Sequence, residues 1–379
     1  MSIKTLIKPS QSTNINKYNI KSLDIATVFS GIGSFEQALQ RMNVEHNIIF
    51  ACDIDKFVKQ SYFANYNISE EQWYNDISDI DGTSYKNLDI LVGGSPCQSF
   101  SMVGKRKGLE DTRGLLVFEF IRILQQSLPN VFIFENVKGL LSHDSGATWN
   151  LIKQEFEDLG YTIFSQILNA KNFGIPQNRE RVFVVGFKDP TIDFNFPSAI
   201  PLEYTMQDFL EDTCENKYFL PEKGIAFVTQ EKNLKKKYTQ INGEIALCQK
   251  ANQQFNWHGD FVQYIEKYYL SDKVKKYVLT SGTKNFKTST KTDLEIARPL
   301  LSTMAKMHRA GVDNYITRDT RLRKLTPREC LRLMGFSDHF KIVVSDTQMY
   351  RQSGNSIVSD VLVHIIDEVI NTGIFNAIQ

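Results

Sequence analysis

Short apolar runs recur along the first half of the chain and alternate with segments of helical spacing. The apolar runs are typical of buried strands and cover residues 23–29, 48–52, 88–92, 131–134, 161–168 and 182–187. The segments of helical spacing cover residues 34–42, 55–66, 115–124 and 151–159. Strands that alternate with helices of about ten residues predict an α/β fold built on a doubly wound, mostly parallel sheet, in the Rossmann-like manner.

This rhythm fails in the second half of the chain. Residues 199–324 are polar, rich in Lys, Asn, Gln and Thr, and only weakly periodic, which predicts a smaller, irregular second domain. Helical spacing returns over residues 327–334 and 356–369, and we expect the final helix to pack back on the sheet. The predicted division is therefore 1–198, 199–324 and 325–379.

Composition adds limits on the class of protein. The chain has 379 residues, of which 42% are hydrophobic, enough for one large domain or two unequal ones. Residues 1–22 lack the apolar centre of a signal peptide, and no apolar run is long enough to span a membrane. We expect a cytoplasmic protein.

The five cysteines argue against two common kinds of site. Their number is odd and no pair has C-x-x-C spacing, so neither a disulfide framework nor a cysteine-rich zinc site is expected. We expect no metal cofactor.

Charge is unevenly distributed. Residues 271–332 contain 15 Lys and Arg against 6 Asp and Glu, a net charge of +9, which leaves −8 for the rest of a chain whose formal charge is +1. A basic block beside an acidic remainder is typical of a one-sided surface for nucleic acid, although a solvated lysine-rich surface has the same composition.

A glycine-containing loop follows the first predicted strand. It reads Phe29-Ser30-Gly31-Ile32-Gly33, and Asp53 follows 20 residues beyond Gly33 at the end of the second strand. Glycines for close approach and an acid for ribose hydroxyls are the layout of a nucleotide site. Glu36 occupies the third glycine position, where a pyrophosphate would be repelled. The loop thus favours a site for a cofactor with a ribose but no phosphate, such as S-adenosylmethionine. The alternative is a tight turn between strand and helix that binds no ligand.

Cys97 lies in the segment GGSPCQSFS, residues 93–101, directly after a predicted buried strand. The glycines allow a sharp turn, so the thiol is presented at the carboxyl edge of the sheet. Only about 3% of an ordinary thiol is ionised at pH 7, so a nucleophilic role needs nearby cations such as Arg179 and Arg181. The alternative is a small buried hydrophobe.

Two acids at strand ends are further candidates. Glu135 closes the apolar strand VFIF, where burial would raise its pKa and suit it to protonate a ring nitrogen, unless it only caps a helix. Asp76 could bind an adenine amino group or be an ordinary surface acid. The glycine-rich, basic loop 97–114 is typical of a lid over an anionic ligand, or of a disordered basic loop.

Taken together, these segments resemble the carbon-5 cytosine DNA methyltransferase family. The resemblance covers residues 23–198 and 320–370 and rests on six motifs in the family's order. They are FSGIGS, PCQSFS, ENVKGLLSHDSG, NFGIPQNRERVFVVGF, RLRKLTPRECLRLMGF and QSGNSIVSDVL. Residues 199–319 occupy the place of that family's variable target-recognition domain.

The resemblance implies a role for each candidate catalytic residue. Cys97 would attack carbon 6 of a flipped-out cytosine, and Glu135 would hold ring nitrogen 3 and the exocyclic amine. Arg181 would contact the base carbonyl, Arg179 would support the pocket, and Asn136 would brace the loop that carries Glu135. Carbon 5 would take the methyl group of S-adenosylmethionine, leaving 5-methylcytosine and S-adenosylhomocysteine.

The resemblance also implies a set of cofactor-binding residues. They are Phe29, Gly31, Ile32, Gly33, Asp53, Ile54, Asp76, Ile77, Pro96, Leu116, Asn355 and Ser356. Two of them depart from the family's usual pattern, since Asp53 stands where many relatives have glutamate and Ile54 where an aromatic often stacks on adenine.

Double-stranded DNA is the implied partner, in a bacterial restriction-modification system with a separately acting endonuclease, or in an orphan enzyme. We expect a monomer. Three alternatives remain open: a tRNA cytosine methyltransferase of the same fold, an inactive DNA-binding relative, and an NAD-type oxidoreductase, which the missing third glycine disfavours.

Overall fold

The computed structural model describes most of the chain. The described residues are 18–96, 116–211, 215–251, 257–262, 276–277, 282–283, 286–287 and 323–376. Cys97 and the remainder of the loop 97–114 lie outside them, as does much of the basic block 271–332.

A seven-stranded sheet forms the centre of the first half. Its strands are β1 (Leu23–Val28), β2 (His46–Cys52), β3 (Trp73–Tyr74), β4 (Ile90–Gly93), β5 (Val131–Val137), β6 (Thr162–Asn169) and β7 (Glu180–Phe187). Their order across the sheet is β3-β2-β1-β4-β5-β7-β6. Neighbours from β3 to β5 are parallel, and β7 runs antiparallel to both β5 and β6. The predicted doubly wound, mostly parallel sheet is confirmed.

The strands read as nearly continuous apolar runs because both faces of the sheet are covered. In β4, Ile90 and Val92 join one core cluster, whereas Leu91 joins the other. Helices α1 (Ser34–Met42) and α2 (Lys56–Asn65) contribute to the first cluster. Helices α3 (Leu116–Ser127) and α4 (Ala147–Asp158) contribute to the second.

The second half contains short elements among its described residues. They are α5 (Glu222–Val228), α6 (Glu231–Lys235), β8 (Thr239–Ile241), β9 (Gly259–Val262), β10 (Gly282–Thr283), β11 (Phe286–Lys287) and β12 (Arg323–Lys324). Strands β12, β9 and β8 form a small sheet, and β10 pairs with β11. Strands of two to four residues are too short to produce a periodic pattern. The domain boundaries drawn from the sequence stay a prediction.

Three helices close the chain: α7 (Pro327–Arg332), α8 (Asp346–Asn355) and α9 (Ser359–Asn371). The apolar side of α9 joins the first core cluster, and its Asp360 pairs with Arg41 of α1 at 2.6 Å. The final helix therefore packs back on the sheet as predicted. The prediction that it starts at residue 356 is wrong, because Ser356 is in an extended conformation at the end of α8. None of the described helices is long and apolar enough to span a membrane.

Candidate active site

The carboxyl ends of five parallel strands, β3, β2, β1, β4 and β5, lie at one edge of the sheet. Val28 at the end of β1 lies opposite Cys52 of β2 on one side and Gly93 of β4 on the other. From β1 the chain continues to β2, toward one edge of the sheet. From β4 it continues to β5, in the opposite direction across the sheet. Open α/β sheets bind ligands at such a switch point.

The glycine loop after β1 has an unusual backbone. Phe29, Gly31 and Gly33 all have positive φ angles, of 53°, 55° and 77°. A Cβ at Gly33 would lie 2.2 Å from the ring of Tyr66, so only glycine fits there. Among the described residues, a Cβ at Gly31 would meet no atom closer than 4.0 Å, so they leave this side of the loop open to close approach by a ligand.

Asp53 and Ile54 follow β2 beside this loop. The Asp53 carboxylate accepts one backbone N–H at each oxygen, from Gly31 and from Asp55, both at 3.0 Å. Burial raises the pKa of Asp53, and these hydrogen bonds oppose the rise. Ile54 is 82% exposed, a large apolar side chain held in the open next to the acid. Together they offer a hydrogen-bond acceptor and an apolar platform.

Asp76 and Ile77 follow β3, the next strand along the edge. The Asp76 carboxylate is exposed and accepts two hydrogen bonds from Ser78 at one oxygen, Oδ1, which lowers its pKa. Its other oxygen has no hydrogen bond from the described residues and can accept one from a ligand. Ile77 is buried in the second core cluster.

The remaining predicted cofactor residues lie on three other segments. Pro96 is exposed after β4, and Leu116 begins α3. Asn355 is exposed at the end of α8, whereas Ser356 is buried with its hydroxyl 2.6 Å from that of Ser34, the first residue of α1. This contact joins the C-terminal segment to the glycine loop.

Glu36 does not face a ligand at the glycine loop, as its position in the sequence had suggested. Its side chain is fully buried and bonds to Thr27 and Tyr62 rather than facing a ligand at the start of α1. The prediction that Glu36 would repel a pyrophosphate directly is therefore wrong. Glu36 gives no reason to exclude a phosphate-bearing cofactor.

The donor set nevertheless fits S-adenosylmethionine. An acceptor carboxylate for ribose hydroxyls, an exposed apolar platform for adenine and an open glycine match its adenosine part. Among the described residues, no cluster of His, Cys, Asp or Glu could hold a metal ion.

A partly buried ion pair stands at the end of β5. Arg181 of β7 places its Nε 3.1 Å from Glu135 Oε1, with side-chain exposures of only 19% and 12%. Glu135 lies opposite Phe183, so Arg181 reaches it diagonally across the two antiparallel strands. Burial raises the pKa of Glu135, whereas the positive charges of Arg181 and Arg179 lower it.

The chain leading to Cys97 touches this pair. A Cβ at Gly94 would lie 3.0 Å from Glu135 Oε2, so the loop runs directly over the carboxylate. Asn136, which the sequence argument assigned to the loop of Glu135, donates instead to the Ser95 carbonyl at 3.0 Å. Cys97 is two positions beyond Ser95, a reach of at most ~7 Å. Cys97 itself lies outside the described residues.

Arg179 is buried and donates hydrogen bonds to three backbone carbonyl groups. Its Nη1 donates to Gln249 at 3.1 Å and to Gly354 at 3.3 Å, and its Nη2 donates to Ser356 at 2.7 Å. Burial and the nearby Arg181 lower its pKa. The side chain thus connects β7 with two segments that are distant in sequence, rather than facing the open site.

Residues 246–251, here called the strap, run beside the approach to β7. Asn178 N donates to the Ala246 carbonyl at 2.9 Å, and the buried Gln177 accepts a hydrogen bond from Gln249 N at 3.0 Å. A Cβ at Gly354 would lie 2.6 Å from Ala251 N, so the strap packs against α8 as well. These roles of Gln177, Gln249 and Gly354 were not predicted from the sequence, although Gln177 and Gly354 lie in two of the six motifs.

Comparison with known proteins gives a family for this arrangement. Residues 23–371 match the family model described as C-5 cytosine-specific DNA methylase. An orphan methyltransferase of Bacillus phage SPR, M.SPRI, is 31% identical, over 92% of this chain and 98% of that protein. The type II methyltransferase M.SsoII of Shigella sonnei is 34% identical, over 91% of this chain and 79% of that protein.

Solved structures agree on the fold. The crystal structure of the S. pombe Dnmt2 methyltransferase aligns with a TM-score of 0.67 at 19% identity, covering 92% of this chain and 98% of that one.

We predict that Gly354→Ala destabilises the protein. Alanine normally stabilises a helix relative to glycine by up to ~1 kcal/mol, but here its Cβ would meet strap backbone at 2.6–2.9 Å. Overpacking of this kind costs about 1–3 kcal/mol, so the expected sign is opposite to that of helix propensity. Urea unfolding measures the change in the free energy of unfolding. Gly139→Ala is the control, since a Cβ there meets nothing within 4 Å. Equal stability of the two variants would contradict the packing of the strap on α8.

Proposed function

This chain belongs to the C-5 cytosine-specific DNA methylase family, and on that premise we propose that it methylates carbon 5 of a flipped-out cytosine in duplex DNA through a covalent adduct to Cys97. One observation carries the proposal: the partly buried pair of Glu135 and Arg181 lies directly beneath Gly94, on the chain that leads to Cys97. A buried acid, a cation and a presented thiol at one strand edge are what this chemistry requires.

Glu135 is the proton donor in this proposal. Burial raises the pKa of this carboxyl, and a raised pKa favours the protonated form that donates to cytosine nitrogen 3. Protonation there withdraws electrons from the ring and makes carbon 6 open to attack. Arg181, fixed by its bond to Glu135, is placed to donate to the base carbonyl.

Cys97 is the nucleophile in this proposal. Its thiolate forms a bond to carbon 6, and the electrons displaced onto the ring make carbon 5 nucleophilic. After carbon 5 has gained the methyl group, its proton leaves to a base, the S–C6 bond breaks, and the nitrogen 3 proton returns to Glu135. Asn136 supports this step by fixing Ser95 before the cysteine.

S-adenosylmethionine supplies the electrophilic methyl group when bound. Asp53 would accept from the ribose hydroxyls and Ile54 would lie against the adenine. Asp76 would accept from the adenine amine with its uncommitted oxygen. Phe29, Gly31, Ile32 and Gly33 would form the floor, and Ile77, Pro96, Leu116, Asn355 and Ser356 would complete the pocket.

The substrate in this proposal is double-stranded DNA, with residues 199–324 choosing the sequence. Extrusion of the target base costs a few kcal/mol, which phosphate contacts from the basic residues of 271–332 can offset. The biological setting is protection of host DNA beside a separate endonuclease, or action as an orphan enzyme.

Bisulfite sequencing of a plasmid from cells that express the chain tests the reaction. We expect methylated cytosines in one short repeated context, and none with Cys97→Ser or Glu135→Gln. Parallel sequencing of cellular tRNA addresses the alternative substrate. An unmethylated plasmid together with methylated tRNA would contradict the choice of DNA, and methylation by Cys97→Ser would contradict the covalent route.

We predict that Ile54→Ala weakens S-adenosylmethionine binding about tenfold, because it removes much of an apolar contact worth roughly 1.5 kcal/mol. Stability should hardly change, since Ile54 is 82% exposed. Isothermal titration calorimetry measures the affinity. Val343→Ala, at a side chain that is 51% exposed elsewhere, is the control and should bind as wild type does. Unchanged affinity in Ile54→Ala would remove this side chain from the cofactor site.

We predict that Gly94→Ala slows methyl transfer by about 10- to 100-fold. The added Cβ would lie 3.0 Å from Glu135 Oε2 and 3.1 Å from the Glu135 carbonyl oxygen, so the acid and the loop must separate. Single-turnover transfer of tritiated methyl groups to DNA measures the rate. Gly139→Ala is again the control, and a wild-type rate in Gly94→Ala would show that this contact is irrelevant to the chemistry.

A further inference from the structure

Glu36 is a fully buried acid for which the proposed chemistry has no use. It lies in the first turn of α1, directly behind the glycine loop, with 0% exposure. Burial raises its pKa, while hydrogen bonds from Tyr62, its own backbone and Thr27 act in the opposite direction. Since a buried carboxyl destabilises a fold unless its hydrogen bonds are satisfied, its presence calls for a specific purpose.

One carboxyl oxygen of Glu36, Oε1, lies within hydrogen-bond distance of two hydroxyl groups. Thr27 Oγ1, from β1, lies 3.0 Å from Glu36 Oε1, and the hydroxyl of Tyr62, from α2, donates to the same oxygen. Among the described residues, Oε2 has no hydrogen-bond partner. Glu36 is therefore the common acceptor that joins β1 and α2 beneath the loop.

Both hydroxyl-bearing residues lead on to the loop. Thr27 Oγ1 is 2.8 Å from the hydroxyl of Ser30, which accepts from Cys52 N at 3.0 Å and so joins the ends of β1 and β2. The ring of Tyr62 packs on that of Tyr66 with centroids 4.8 Å apart. Tyr66 in turn donates to the Gly33 carbonyl at 2.7 Å. The polar network thus contacts the loop at Ser30, and the packed rings of Tyr62 and Tyr66 extend the support to Gly33.

The loop needs such support. Phe29 holds a positive φ of 53°, which costs a non-glycine residue roughly 1–2 kcal/mol, and Gly31 and Gly33 are left-handed as well. This backbone is also what directs Gly31 N at the carboxylate of Asp53. A network that fixes Ser30 and Gly33 from below keeps the loop in this shape before any ligand arrives.

We propose that Glu36, acting through Thr27 and Tyr62, is a positioning residue that holds the glycine loop in the conformation that binds S-adenosylmethionine. The proposal rests on the proposed function, in that it takes this loop to be the cofactor site. Glu36 does not touch the cofactor, so its effect should fall on cofactor affinity and not on the bond-making step.

The test compares variants that keep volume but differ in hydrogen bonding. Glu36→Gln retains an acceptor oxygen, and Glu36→Leu does not. Thr27→Val removes one hydroxyl from the network without changing the shape of the side chain, and it serves if Glu36→Leu does not fold. S-adenosylmethionine dissociation constants come from calorimetry, with kcat at saturating cofactor and DNA affinity measured alongside.

We expect Glu36→Leu and Thr27→Val to weaken cofactor binding about tenfold, and Glu36→Gln to stay within about threefold of wild type. DNA affinity and kcat at saturating cofactor should be unchanged. Phe156→Leu is the control for general destabilisation, because Phe156 is buried on the other face of the sheet. It should lower the melting temperature and leave cofactor affinity intact.

Two results would overturn the inference. In one, Glu36→Gln binds the cofactor as weakly as Glu36→Leu, which would make shape rather than hydrogen bonding responsible. In the other, Glu36→Leu and Thr27→Val both bind as wild type does. If wild type itself binds no S-adenosylmethionine, it is the proposed function that fails, and this outcome is separate from the first two.

Discussion

The guanidinium of Arg179 is the interaction on which the candidate site depends. A buried cation is costly unless its N–H groups meet acceptors, and Arg179 meets backbone carbonyls of Gln249, Gly354 and Ser356. These carbonyls belong to the strap and to the end of α8, which are far apart in sequence. A planar fork of donors can satisfy several carbonyls at once, which the compact ammonium of lysine cannot do in the same geometry. This packing ties the residue just before β7, two positions from Arg181, to the strap and to the end of α8.

The two halves of the site are held by different physical means and meet at one residue. Hydroxyl groups and a buried acid support the glycine loop, whereas charges and carbonyls support the pocket around Glu135. Ser356 belongs to both, because its hydroxyl contacts Ser34 at the start of α1 and its carbonyl accepts from Arg179. Transfer between two bound molecules needs their reacting atoms about 3–3.5 Å apart, so a rigid link between their two subsites has a direct chemical value.

The sheet could be predicted from the sequence because most of its strands are apolar on both faces. Six of its strands stood out as apolar runs, and Ser34–Met42 was predicted with the same bounds as observed. The two-residue strand Trp73–Tyr74 was missed, since it is too short to show alternation. Residues at strand ends, such as Asp53, could be proposed from their position alone. The burial of Glu36 could not, because an acid in a first helical turn normally faces solvent, and only the tertiary contact with Tyr62 places it inside.

Backbone hydrogen bonds fix the strap and the segment before α7 beside the candidate site. The strap is fixed largely through backbone groups, including Ala246 N, the Ala246 carbonyl and Gln249 N. Thr326 and Glu329 form a capping box at the start of α7. Glu329 also accepts a hydrogen bond from Glu211 N at 2.7 Å. Backbone bonds do not depend on which side chain a residue carries. Residues between these two anchors can therefore differ in side-chain chemistry while Arg179 and the pocket stay in place.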